Sequence, residues 1–91
     1  MKYLHKEAYL DPEDVVLVTL DRQANVMLLD DINYSAYRSR RSFRYYGGLA
    51  EVSPCRLSPP HGGHWHVVVN LGGYAGSVRV GIRILSSQKI S

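Results

Sequence analysis

At 91 residues, with 45% hydrophobic and 21% charged side chains, the chain is long enough for one domain with a modest core and too apolar for disorder. Its formal net charge of +3 permits an anionic partner without demanding one, and the lone cysteine, Cys55, excludes an internal disulfide. No apolar run reaches the length of a membrane span, and the opening ten residues scatter their charges instead of forming a secretion signal, so a cytoplasmic setting is expected.

The chain is punctuated often and never sustains a helical period. Asp11-Pro12 marks an early turn before Val15-Val-Leu-Val-Thr-Leu20, a β-branched run of strand length. Asp21 to Ala24 then separates it from Asn25-Val-Met-Leu-Leu29, which reads as the second arm of a hairpin. Asp30 or Asp31 can cap a short helix through about Arg40. Ile32 and Ala36 would share its buried face, Tyr34 or Tyr37 would pack it down, and Arg38, Arg40 and Arg41 would favour the dipole at its C-terminal end. Phe43 to Tyr46 reads as a strand closed by Gly47-Gly48, with Phe43 and Tyr45 inward. Leu49 to Leu57 reads as extended, its Pro54 pointing to an edge or a bulge.

Two further strands, His64 to Leu71 and Ser77 to Leu85, follow the loop at 58–63. Trp65, Val67, Val69 and Leu71 alternate with His64, His66, Val68 and Asn70, and Val78, Val80, Ile82 and Ile84 alternate with polar residues or glycine. A four-residue turn at 72–75 would make a hairpin that sets Trp65 beside Ile82, His66 opposite Gly81 and His64 opposite Arg83. Residues 1–86 thus form a single β domain and 87–91 a polar tail.

Residues 34–46 hold five of the nine aromatic side chains and four of the eight arginines. That mixture suits stacking on bases and contact with phosphates. A helix end and a strand divide it, however, so its aromatics are expected to serve the core while Arg38, Arg41 and Arg44 stay available for contact. His64 and His66, two apart on a strand, project the same way and are the natural start of a metal site. A cupin-like set would add a glutamate a few residues on, where Asn70-Leu71 stands, and a distant third histidine, for which only His5 remains. No metal and no other cofactor is therefore expected. With Arg79 and Arg83 across the hairpin, the same histidines make an anion-binding patch instead. Cys55 reads as a small buried hydrophobe, not a nucleophile. No phosphate loop, paired-carboxylate motif or nucleophile elbow is present, and no catalytic residue is assigned.

Tyr45-Tyr-Gly-Gly-Leu49, Ser53-Pro54 with Arg56, and Gly63-His-Trp-His-Val67 carry a resemblance that takes in most of the chain. With the opening segment and Asn25 to Leu29, they resemble a small bacterial family of domains of unknown function, found alone or attached to TIR domains. The resemblance implies an all-β fold and a sensing or recognition role, and it brings no catalytic residues.

The sequence therefore points to an all-β fold: a small antiparallel β-sandwich or partly open barrel with one short helix. The expected function is a non-catalytic binding module for an anionic ligand or a protein partner, using His64, His66, Arg79, Arg83, Arg38, Arg41 and Arg44. Nucleic acid is a less favoured partner, and no membrane contact is expected. The alternatives are a small metal- or thiol-dependent enzyme built on His64, His66 or Cys55, and a domain that self-associates into homo-oligomers through an edge strand near Pro54.

Overall fold

The computed structural model describes residues 3–86, which form seven strands and one helix. The polar tail expected at 87–91 lies outside the described residues. In chain order the elements are β1 (Leu4–Leu10), β2 (Val15–Leu20), β3 (Ala24–Asp30), α1 (Asp31–Arg38), β4 (Tyr46–Ala50), β5 (Cys55–Leu57), β6 (Gly63–Asn70) and β7 (Val80–Leu85). They make two antiparallel sheets, one in the order β1-β6-β3-β4 and the other β5-β2-β7. The all-β expectation holds, as a sandwich with a helix laid on its outside.

The two inner faces meet in one core. Ala24, Val26 and Leu28 of β3 and Trp65, Val67 and Val69 of β6 face Val16 and Val18 of β2, with Val80, Ile82 and Ile84 of β7 packed against them. Each fully buried Val or Leu here contributes about 1.5–3 kcal/mol. A second, smaller core lies on the outer face of the larger sheet. There Met27, Leu29 and Val68 are covered by Tyr3, Tyr34, Tyr37 and Phe43.

Both expected hairpins are corrected by this topology. The runs at 15–20 and 25–29 lie in opposite sheets, as do β6 and β7. β6 pairs with β1 and β3, whereas Arg83 stands opposite Leu17 and Gly81 opposite Thr19 on β2. The apolar faces of β6 and β7 do meet, but across the sandwich. Alternation fixes which face a residue occupies and is silent about which strand lies beside it. Residues 71–79 span the gap between the sheets instead of closing a tight turn.

Other boundaries also shift. β1 shows no clean apolar alternation in the sequence because Lys6 interrupts its inner row of Leu4, Ala8 and Leu10. β4 begins at Tyr46 and includes Gly47 and Gly48, with Tyr45 and Tyr46 both exposed. β5 is a three-residue edge strand that starts just after Pro54, as proline's missing N–H demands. The helix ends at Arg38, with Ala36 buried but Ile32 81% exposed. Asp30 is the N-cap, its Oδ1 accepting from the Asn33 backbone N–H at 2.8 Å. No helix among the described residues is long and apolar enough to cross a membrane.

Candidate functional site

The outer face of the larger sheet carries a histidine–carboxylate cluster, and strand register explains why. Within β1 the outward residues include His5 and Glu7; within β6 they are His64, His66, Val68 and Asn70. Glu7 stands directly opposite His66, and His5 opposite Val68, one pleat away. On the other side of β6, Leu29 pairs with His66 and Asp30 with Trp65, so the next residue, Asp31, arrives beside His64. Asp31 is also the first residue of α1, where a carboxylate suits the helix dipole.

Asp31 Oδ1 accepts from both imidazoles, at 2.6 Å from His64 Nδ1 and 2.6 Å from His66 Nε2. The remaining ring nitrogens turn toward β1. His66 Nδ1 lies 2.8 Å from His5 Nε2, and His64 Nε2 lies 3.5 Å from Glu7 Oε1. Tyr34 lies over the cluster, its ring stacked on His5 at 4.2 Å and on His66 at 4.3 Å between centroids. His66 is only 5% exposed, while the Asp31 side chain stays 65% exposed. Every buried side-chain polar atom among the described residues has a partner.

The electrostatics follow from these contacts. Hydrogen bonds from His66, then from His64, hold the Asp31 carboxyl below its ordinary range. Burial, and then the neighbouring His66, lower His5. Burial and the 3.1 Å hydrogen bond with the Tyr3 hydroxyl push the Tyr34 phenol up to about 12. Burial likewise raises Tyr37.

The opposite end of α1 opens a second feature. Tyr3, Tyr37 and Phe43 wall a cleft of about 450 Å³ with Arg38 and Arg40 at its rim. The Tyr37 ring meets Tyr3 and Phe43 edge-on, each at 5.2 Å. Arg38 lies 5.8 Å from the Tyr34 ring centroid. Arg40 takes a left-handed conformation (φ 58°) that closes the helix. Its N–H bonds to Tyr37 O and the Arg41 N–H to Ala36 O, at 3.2 and 2.9 Å. These two bonds are those of a Schellman cap, at a position that usually belongs to glycine.

The residues singled out from the sequence therefore divide. His64 and His66 come together, but on the helix-covered face and not in solvent. Arg83 projects from the outer face of the other sheet, and the Arg79 backbone N–H bonds to Asp21 Oδ1 at 2.8 Å near its end. The hairpin patch expected from these four does not assemble. Arg38 borders the aromatic cleft, while Arg41 and Arg44 lie exposed on the segment leading from it. Cys55 is a half-buried thiol against the main core, raised by that burial. His61 accompanies Trp65 instead of the cluster, its carbonyl accepting from the indole N–H at 3.1 Å. Sequence reasoning passed over Glu7 and read Asp31 only as a cap. The signal it left unused was the alternation His5, Glu7, Tyr9, which puts three polar or aromatic side chains on one face of β1, with Tyr3 just before the strand.

Fold and site together define a small β-sandwich whose helix-covered face carries both an imidazole–carboxylate cluster and an aromatic–arginine cleft. A family model described as "Domain of unknown function (DUF1883)" matches residues 1–88, and the chain belongs to that family. No curated protein and no solved structure matches the chain.

Proposed function

We propose that the chain is a non-catalytic binding module that takes an anionic ligand with a flat ring in the cleft at the C-terminal end of α1. The observation that carries this reading is the pairing of Tyr3, Tyr37 and Phe43 as ring walls with Arg38 and Arg40 at the rim. Aromatic walls offer a stacking surface for a planar group, and guanidinium groups offer forked donors to phosphate or carboxylate. A cleft of about 450 Å³ is of the size that encloses a small ligand. The role fits a bacterial recognition domain that works alone or joined to a TIR domain, as the sequence resemblance implies.

Titration of isotope-labelled protein with AMP, with adenosine and inorganic phosphate as controls, tests this reading. AMP should shift resonances of Tyr3, Tyr37, Arg38, Arg40 and Phe43, and bind more weakly as salt rises. Arg38→Ala should weaken it by roughly 10-fold, the loss of one charge-assisted contact. Absence of any shift in those residues with AMP would end the proposal.

A further inference from the structure

We propose a second site, independent of the cleft: a divalent transition-metal site in which His64 Nδ1, His66 Nε2 and Asp31 Oδ1 are the ligands. Two imidazoles and one carboxylate are a donor set for zinc and for the neighbouring first-row ions. The three atoms already converge, Asp31 Oδ1 standing 2.6 Å from each nitrogen. Around a tetrahedral ion with bonds of about 2.0–2.1 Å the ligand atoms stand about 3.3 Å apart. Each Asp31–imidazole separation must therefore open by about 0.7 Å, and the two imidazole nitrogens already lie within 4.8 Å of each other. Asp31 is the exposed member of the set and the freest to adjust.

What separates this cluster from a chance pair of histidines is the order of its outer contacts. A metal-ligating imidazole needs its second nitrogen held by another group. Here His66 Nδ1 faces His5 Nε2 at 2.8 Å, and His64 Nε2 faces Glu7 Oε1 at 3.5 Å. Each histidine thus turns one nitrogen to Asp31 and the other to β1. Binding requires a concerted exchange of tautomers in three rings. The His64 proton moves from Nδ1 to Nε2, on the side of Glu7, and the His66 proton moves from Nε2 to Nδ1. His5, which donates from Nε2 to His66 Nδ1 before binding, moves its own proton to Nδ1 so that its Nε2 can accept. Tyr34, stacked on His66 with 10° between the planes, fixes the ring that has least room to turn.

A competing set exists on the β1 side, where His5, Glu7 and His66 also bring one donor atom each within 4.8 Å of the others. It leaves out His64, whereas the Asp31 set keeps both strand histidines and has the more exposed of the two carboxylates, 65% against 56% for Glu7.

The test is a titration of tag-free, chelator-treated protein with Zn²⁺ against a chromophoric chelator. Imidazole nitrogen spectra are recorded in parallel. The expected result is one equivalent bound, with His64 Nδ1 and His66 Nε2 as the nitrogens that shift. Asp31→Asn should lower the affinity more than Glu7→Gln, whose loss as an outer partner should be about 10–100-fold. Asp31 is exposed, so its variant folds even where a His66 variant does not. No Zn²⁺ binding, or equal affinity in wild type and Asp31→Asn, would overturn the proposal. A larger loss for Glu7→Gln than for Asp31→Asn would also overturn it, because it assigns the ion to the β1 side. None of these results bears on AMP binding at the cleft.

Discussion

His5 Nε2 and His66 Nδ1 meet at 2.8 Å across the β1–β6 ladder, although the register pairs neither residue with the other. Their rings stack at 5.0 Å, and the contact satisfies the inner nitrogen of a buried imidazole. His5→Phe keeps a ring against Tyr34 but strands His66 Nδ1, since Glu7 Oε2 at 3.9 Å is too far to replace the lost partner. In the presence of a chelator the variant should lose about 1–3 kcal/mol in urea denaturation, the usual penalty for a buried polar atom left unpaired. A loss indistinguishable from zero would show that water or Glu7 takes over the nitrogen.

The same pair shows what could be read from the sequence and what could not. Alternation along 64–71 correctly assigned Trp65, Val67 and Val69 to the inner face, because side-chain period is a local property of a strand. It does not reveal that His66 and Asn70 are buried, because a central strand covered by a helix is buried on both faces, and only tertiary packing shows the cover. His64 and His66 were visible as a pair from their spacing. His5 is visible only as the one remaining histidine, and Asp31 only as a cap, because their approach depends on β1 and β3 flanking β6, whereas the alternation suggests β7 beside it. Asp30 as a cap and Pro54 at an edge were legible, since each follows from that residue's own backbone chemistry.

Arg40 occupies the left-handed position of the Schellman cap that ends α1, with φ 58°. A side chain there is strained, and glycine relieves the strain at some entropic cost in the unfolded chain. Arg40→Gly should therefore stabilise the domain by about 0.5–1 kcal/mol while weakening AMP at the cleft. The denaturation midpoint and the AMP titration read the two effects separately. Loss of stability in this variant would refute the account of the cap.

Cys55 sits on β5 against the main core, and burial raises its thiol. A raised thiol holds less thiolate near neutral pH, and the thiolate is the reactive species. Reaction with a disulfide reagent should run at least about 10-fold slower in the native protein than in the denatured chain, and should accelerate as pH rises. Equal rates in the two states would place the sulfur in solvent and reopen the thiol-dependent reading.

Gly47 and Gly48 lie side by side on β4, both with positive φ, yet a side chain would meet different surroundings at each. A Cβ on Gly47 would stand 2.3 Å from Val26 O, a backbone oxygen in the ladder that joins β4 to β3, whereas a Cβ on Gly48 meets nothing within 4 Å. Both alanine variants carry backbone strain of about 1–3 kcal/mol. Only Gly47→Ala must also push two paired strands apart, which adds roughly 1–3 kcal/mol for overpacking. Gly47→Ala should accordingly be the more damaging by that margin in urea denaturation. It should also disturb the Val26 and Met27 amides, which belong to the strand whose end carries Asp31 to the histidines. Equal losses at the two positions would mean that conformation alone, and not the close approach of β4 to β3, keeps the doublet glycine.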